Sequence, residues 1–349
     1  MGSRNFLPEV DSSLPVAHRE GLAEPRSSTM ARLKRYLSCV RYKECLVLQG
    51  TPLMGVAVSL GTIGRSELHQ VLIFVIASFL VIAHIFGIND WADATSDAAD
   101  SNKAAKAFLS KGSSRTEVRN ISLGLGVASM VLFALLPWRT FLFAVAIAIL
   151  GFAYSYHIVR TKGSPVFSSA THLVGGVIHF LMGYSLFGGM DLRGVALSSF
   201  FALTFTAGHL NQEVGDYEAD RQNGVLTNAV RFGPVRAFVA GQVIFALAFA
   251  CFLLLASNEL MPSSLAWVAL LYPVLPWSAW KTYRAGLTFE NVSRFRTLYR
   301  ALYAVIGLAL LASLVLNGTP APEAREGPSS RPLRQSGFFS EGTKDAPEL

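Results

Sequence analysis

The chain has 349 residues, of which 52% are hydrophobic and 15% are charged, and its mean hydropathy is +0.41. A soluble chain could not easily keep so much apolar area off its surface, so this balance predicts an integral membrane protein. The net charge of +7 does not indicate a nucleic-acid-binding protein, because the basic residues fall between apolar runs and are not interleaved with aromatic residues.

The two ends of the chain differ in composition from its middle. Residues 1–29 and 318–349 are rich in Pro, Ser and charged residues. We predict that both are disordered tails, because such compositions bury too little apolar area to fold. The first tail has no apolar stretch of signal-peptide type, so no cleavable signal is expected. Residues 30–317 form the predicted transmembrane domain.

Nine apolar segments in this domain have about the length, roughly 20 residues, that a helix needs to cross a bilayer. In chain order they lie at 46–64, 70–90, 118–137, 139–158, 166–188, 195–215, 236–257, 264–281 and 298–316. The predicted fold class is therefore all-α: a polytopic membrane protein with about nine transmembrane helices.

The loops between these segments carry most of their positive charge on one side. Twenty lysines and arginines fall in the stretch before the first predicted helix and around the loops after the second, fourth, sixth and eighth, whereas the opposite loops hold only Arg65, Arg139 and Arg193. Because short cytoplasmic loops are enriched in Lys and Arg, we predict a cytoplasmic N-terminus and a C-terminus on the opposite side. The expected location is the inner membrane of a bacterium.

An acidic cluster lies at the end of the second predicted helix. Asp90, Asp93 and Asp97 are spaced i, i+3 and i+7, which places them on one helical face with Asn89 at its edge. Like charges so close together raise one another's pKa unless a cation neutralises them. Acidic residues at the end of a membrane helix are therefore candidates for a functional site.

The end of the sixth predicted helix repeats this spacing with Glu213, Asp216 and Asp220. Both clusters fall at cytoplasmic helix ends, so they can face each other at one depth in the membrane. Oxygen-only ligands at this density favour a hard ion such as Mg2+, shared between carboxylates and substrate phosphates. Either cluster alone could be a solvated acidic loop, but two matched clusters favour a diphosphate bound through Mg2+.

Basic residues accompany the clusters. Lys103, Lys106, Lys162 and Arg221 lie in the same cytoplasmic loops, and we predict that they bind the diphosphate, because phosphate oxygens need direct cationic partners as well as metal. Each of them could equally be a topology signal.

Among the histidines within predicted spans, His209 is the strongest functional candidate. It lies seven residues before Asp216 on the same helical face. We predict that His209, Asn211 and Glu213 contribute to an acceptor site or cavity wall. The alternative for His209 is a hydrogen-bonded role in helix packing.

With these residues in view, the chain resembles the UbiA superfamily of intramembrane prenyltransferases over roughly residues 40 to 316. The first Asp-rich motif of that family, NDxxDxxxD, matches Asn89, Asp90, Asp93 and Asp97 at every fixed position.

The second motif of the family, DxxxDxxxDxxxG, is met less completely. Its counterpart here consists of Glu213, Asp216, Asp220 and Gly224, in which the first acid is displaced and is Glu. This departure makes a family role for Glu213 less well supported than one for the two aspartates.

The resemblance implies a helical bundle around a central cavity and two Mg2+ ions that bridge an isoprenyl diphosphate. It assigns catalysis and metal binding to Asp90, Asp93, Asp97, Asp216 and Asp220. Asn89, Tyr154 and Lys162 are implied to contact the diphosphate, since the last two resemble the family's Tyr and Lys after the fourth helix. The implied partners are an isoprenyl diphosphate, a lipophilic, aromatic or quinone-like acceptor, and membrane lipid, with no nucleic acid.

Two other functions use some of the same features. An intramembrane terpene cyclase would ionise the same diphosphate with the same motifs and then cyclise the prenyl chain. An ion-coupled transporter would place its acidic residues near mid-membrane on broken helices, whereas these carboxylates are predicted at the cytoplasmic ends. The sequence therefore favours a prenyltransferase, with the cyclase as its main alternative.

Overall fold

The computed structural model describes residues 30, 36, 40–60, 65–100, 103–104, 107–156, 161–261 and 270–317. Within these ranges the chain is all-helical and contains no strand, which confirms the predicted fold class. The predicted tails and Lys106 lie outside the described residues. The helices are α1 Tyr42–Leu48, α2 Gly50–Ser59, α3 Arg65–Ala99, α4 Arg115–Phe133, α5 Trp138–Ser155, α6 Phe167–Tyr184, α7 Leu192–Gly215, α8 Tyr217–Gln222, α9 Asn228–Phe232, α10 Pro234–Ser257, α11 Val274–Ala285 and α12 Phe289–Asn317.

Four of the described helices are long and apolar enough to cross a membrane by length and composition. They span Arg65–Ala98, Trp138–Ser155, Pro234–Ser257 and Phe289–Ser313. The count of nine stays a prediction. The first predicted span is divided into α1 and α2 at Gln49, and the eighth lies partly outside the described residues.

Local sequence signals explain where several helices begin. Ser114 and Glu117 form a reciprocal capping box at the start of α4, in which each side chain accepts a hydrogen bond from the other residue's backbone N–H. The Asp191 carboxylate accepts from the backbone N–H of Gly194 at 2.7 Å and so caps α7. The loops that carry these caps fall between apolar runs, as the sequence predicted.

Helix contacts close the bundle into a ring. α3 packs against α4 and α5, α6 packs between α5, α7 and α2, and α7 packs against α10 and α12. α12 returns to α2 and so closes the ring. Apolar side chains such as Phe74 and Phe133 fill the α3–α4 side, and Phe245 and Phe295 fill the α7–α10–α12 side.

Glycines permit a close helix crossing between α2 and α6. A Cβ atom on Gly183 would lie 1.8 Å from the backbone oxygen of Pro52, and one on Gly55 would lie 2.4 Å from that of Phe180. Small residues at such crossings let membrane helices approach with their backbones in contact. The crossing holds α2 against the ring and so forms one wall of a central cavity.

Candidate active site

A cavity of about 1440 Å³ runs through the ring. Its wall is mostly apolar along its length and includes Ile82, Phe86, Phe201 and Phe205. One end is different in character, since it is lined by acidic and basic side chains: Asp90, Asp93, Asp97, Asp216 and Asp220, with Arg41, Lys103 and Lys162. The structure therefore brings both predicted acidic clusters to one end of one cavity.

Two lysines hold one carboxylate of each cluster. Lys162 Nζ lies 2.5 Å from Asp93 Oδ2. Lys103 Nζ lies 3.1 Å from Asp216 Oδ2 and 3.7 Å from Asp100 Oδ2. Because Asp100 directly follows α3 and Asp216 directly follows α7, Lys103 links the ends of the two helices that carry the predicted motifs.

Arg41, which precedes α1, contacts Asp90 with two nitrogens. Its Nε lies 3.1 Å from Oδ2, and its second nitrogen contacts Oδ1. A forked arrangement of this kind suits the planar guanidinium and is stronger than a single contact. The sequence analysis did not assign Arg41 to the site, because 49 residues separate it from Asp90 and no local spacing relates the two.

Burial and neighbouring charges shift the pKa values of charged side chains at this end of the cavity. Burial raises the pKa of Asp220 to about 7; Lys162 opposes this shift and Asp216 adds to it. Burial alone would lower the pKa of Lys103, but the Asp216 carboxylate raises it, and the net shift is upward. The acidic end therefore favours added positive charge.

The fit to a metal ion is partial. Among the described residues, no three carboxylate, histidine or cysteine side chains converge closely enough to hold a metal ion. Three of the aspartates face basic side chains instead. The donor set nevertheless consists of carboxylate oxygens alone, the ligand chemistry that Mg2+ prefers.

Glu213 does not join the aspartates. It is 4% exposed, and its carboxylate accepts hydrogen bonds from Ser168 Oγ at 3.0 Å, from the Asn228 backbone N–H at 3.0 Å and from Asn228 Nδ2 at 2.9 Å. His209 Nε2 lies 3.0 Å from the same carboxylate. Glu213 is therefore fixed in the cavity wall by neighbours from α6, α7 and α9.

A cluster of rings lies beside Glu213. The imidazoles of His172 and His209 stack with their centroids 3.6 Å apart and their planes inclined by 10°. Tyr154 meets both rings edge-on, at 5.0 and 6.4 Å. All three residues line the cavity. The predicted cavity residue His209 and the predicted diphosphate ligand Tyr154 are thus brought together, and His172, which the sequence analysis did not single out, joins them.

The other predicted residues are divided between the cavity lining and the rest of the bundle. Asn89 lines it and accepts a hydrogen bond from Ser155 Oγ at 3.2 Å. Arg221 is exposed on α8 and is not part of the lining. Asn211 is fully buried and faces α10, where Gln242 donates a hydrogen bond to it at 3.1 Å. Arg221 thus turns to solvent and Asn211 serves helix packing, and the binding roles predicted for them stay predictions.

Comparison with solved structures finds the same fold. A UbiA homolog from Archaeoglobus fulgidus, solved with DMAPP and Mg2+ bound, is 18% identical; the match covers 80% of this chain and 99% of that one, with a TM-score of 0.59. A UbiA homolog from Aeropyrum pernix K1 is 17% identical, with 79% and 99% covered and a TM-score of 0.63. A digeranylgeranylglyceryl phosphate synthase structure is 18% identical, with 82% and 99% covered and a TM-score of 0.59.

At the sequence level, no curated protein matches the chain. The model of the UbiA prenyltransferase family does match, over residues 51–303. That range contains both Asp-rich clusters and most of the described helices, and it agrees with the resemblance seen in the motifs. The chain therefore belongs to the UbiA prenyltransferase family.

Proposed function

We propose that the protein is an integral-membrane prenyltransferase that moves a prenyl group from an isoprenyl diphosphate to a lipophilic, aromatic or quinone-like acceptor and releases diphosphate. The observation that carries this proposal is the polarity of the cavity, which is acidic and basic at one end and apolar along the rest of its length. Such a cavity matches a substrate with a charged head and a hydrocarbon tail.

The basic side chains supply the direct contacts to the diphosphate in this proposal. Arg41, Lys103 and Lys162 each hold an aspartate and can exchange that carboxylate for a phosphate oxygen, since both are anionic acceptors. Asn89 and Tyr154 line the same part of the wall and complete the proposed diphosphate site. We do not include Arg221 in this site, because its side chain is exposed on α8.

The aspartates released by this exchange would hold Mg2+. We assign two ions to Asp90, Asp93, Asp97, Asp216 and Asp220, which offer oxygen ligands on both sides of the acidic end. The A. fulgidus homolog has been solved with Mg2+ together with DMAPP and with GPP. Mg2+ bound there would offset the negative charge that develops on the leaving diphosphate.

The apolar part of the cavity protects the prenyl group after the C1–O bond breaks. Phe86, Phe201, Phe205 and Tyr299 line it, and their faces attract cations while their bulk excludes water. An allylic cation formed there would survive long enough to meet an acceptor. We place the acidic end on the cytoplasmic side of a bacterial inner membrane, because the loops around it carry the positive charge.

Product analysis tests the proposal. Purified protein is incubated with Mg2+ and C10, C15 or C20 prenyl diphosphates, with and without a panel of phenolic and quinolone acceptors, and products are identified by mass. A prenyltransferase yields a prenylated acceptor only when the acceptor is present. A cyclic hydrocarbon formed from the diphosphate alone would instead identify a terpene cyclase, and no consumption of any diphosphate would contradict both.

A further inference from the structure

The contacts of His209 resemble those of a general base more than those of a packing residue. Its ring lines the cavity, while its Nε2 lies 3.0 Å from a buried carboxylate. A carboxylate that orients an imidazole and stabilises its protonated form is the arrangement found in hydrolytic triads. We propose that His209 accepts the proton that the prenyl acceptor loses, an inference that rests on the proposed transferase function.

The Glu213 carboxylate is held as an acceptor by three donors from Ser168 and Asn228. An ionised carboxylate can only accept, so the proton of the neutral His209 ring belongs on Nε2. The other nitrogen, Nδ1, then carries the lone pair, and no described residue forms a hydrogen bond with it. The Nε2 contact is short but poorly aligned as a hydrogen bond, as catalytic contacts often are before substrate binds.

His172 positions this ring. Its own Nδ1 lies 2.8 Å from the Ser168 carbonyl oxygen, which can only accept, so Nδ1 donates and the ring is fixed. The two imidazoles stack at 3.6 Å, and Tyr154 closes the cluster edge-on. The groups that face His209 are thus Glu213, His172 and Tyr154, of which only Glu213 is anionic and can stabilise a protonated imidazole.

His209 lies between the charged end of the cavity and its apolar part, a position that suits an acceptor reaching from one to the other. His209 lies seven residues before Asp216, a rise of about 10 Å towards the apolar part. A phenol or hydroquinone whose ring carbon lies next to the diphosphate end can direct its hydroxyl towards the histidine. The structure therefore favours an acceptor of the phenol or hydroquinone class.

The C1–O bond of the prenyl diphosphate breaks and its electron pair leaves with diphosphate. The phenolic O–H proton passes to His209 Nδ1, and the electron pair left on the acceptor forms the new bond from a ring carbon to C1. The resulting dienone regains its aromatic ring when the proton on that carbon moves to oxygen, and His209 later releases its proton to water.

The test compares His209→Gln with His84→Gln in purified protein supplied with Mg2+, geranyl diphosphate and phenols and hydroquinones of graded acidity. His84 is a matched control, because it is a half-buried helix histidine that contacts Ser122 and lies outside the central cavity. The measured quantity is prenylated product per diphosphate released. We expect this ratio to fall about 100-fold in His209→Gln, less for the more acidic phenols, and to stay within about two-fold of wild type in His84→Gln.

A ratio in His209→Gln within about three-fold of wild type, or a loss that is independent of phenol acidity, would overturn the role of His209 as a base. If the wild type releases diphosphate but prenylates none of these acceptors, the acceptor class and with it this inference fail while the diphosphate chemistry stands. If the wild type releases no diphosphate, the proposed function itself fails.

Discussion

At the scale of single residues, the site consists of charged pairs whose members are far apart in the sequence. Lys162 and Asp93 are 69 residues apart, and Lys103 and Asp216 are 113 residues apart. The placement of Asp90, Asp93 and Asp97 on one face of α3 could be predicted, because it follows from the helical period alone, whereas Asp216 follows the end of α7 and Asp220 lies on α8. The identity of each basic partner could not be predicted, since it depends on how the loops return to the helix ends.

The first prediction concerns Asp93, which is 4% exposed and paired with Lys162. In Asp93→Asn we expect diphosphate release from geranyl diphosphate to fall at least about 100-fold, because the leaving group loses part of its preorganised charge stabilisation. The control is Glu290→Gln, which changes an exposed carboxylate on α12 and should keep the wild-type rate. Equal rates in the two variants would remove Asp93 from the site.

The second prediction concerns Asn228, which joins α9 to α6 and α7. Its Nδ2 donates to Ser168 and Glu213, and its Oδ1 accepts from the backbone N–H of Val166 at 2.7 Å. Val166 has a φ of 68°, a strained value for a β-branched residue, so this hydrogen bond holds a strained turn.

We expect Asn228→Ala to lower the free energy of unfolding by about 1–3 kcal/mol, because buried partners lose their hydrogen bonds. Thermal unfolding in detergent micelles measures the change. The matched control is Asn223→Ala, which removes an exposed side chain that donates to the Ala219 carbonyl. An unfolding temperature equally lowered in both variants would show that the buried network contributes nothing specific.

At the scale of helices, the apolar runs predicted where helices lie better than which of them cross the membrane. The helices α3, α5, α10 and α12 match predicted spans and meet a spanning length and composition. α1 and α2 interrupt a predicted single span, and α11 extends four residues beyond the predicted end at 281. Hydropathy reports how apolar a segment is, but it does not report a break such as that at Gln49, which lies three residues before Pro52, a residue without a backbone N–H.

The third prediction tests the α2–α6 crossing. A methyl group on Gly183 would meet the backbone of Pro52, whereas one on Gly124 of α4 meets nothing within 4 Å. Gly183→Ala should therefore lower the free energy of unfolding by about 1–3 kcal/mol. Gly124→Ala should leave it unchanged or raise it by up to about 1 kcal/mol. Thermal unfolding that ranks the two variants in the opposite order would contradict the observed crossing.

At the scale of the whole molecule, the ring of helices and its central cavity were implied by the family resemblance and not by hydropathy. Periodicity indicates that a helix has an apolar face, but it does not say which helices are neighbours. The position of His172 against His209 illustrates this limit, because the stack requires α6 and α7 to lie side by side at a fixed rotation. The arrangement of neighbouring helices likewise determines that Asn211 faces α10 and not the cavity.

The fourth prediction concerns orientation in the membrane. Ser110 and Met190 are exposed in loops at opposite ends of the bundle. In a chain whose native cysteines are replaced, Ser110→Cys should react with a membrane-impermeant maleimide only from the cytoplasmic side, and Met190→Cys only from the other side. The reason is the excess of Lys and Arg in the loops on the Ser110 side. Labelling with the sides reversed would place the acidic end of the cavity outside the cytoplasm.

The central claim is that the acidic end of the cavity binds an isoprenyl diphosphate through Mg2+ and allows diphosphate to leave. Its most direct test is the rate of diphosphate release from geranyl diphosphate by purified protein in lipid nanodiscs, with Mg2+ and after chelation by EDTA. We predict release with Mg2+, a fall of at least about 100-fold in EDTA, and recovery when Mg2+ is added back in excess. The same rate in EDTA, or no release with Mg2+ from any C10 to C20 diphosphate, would contradict the account.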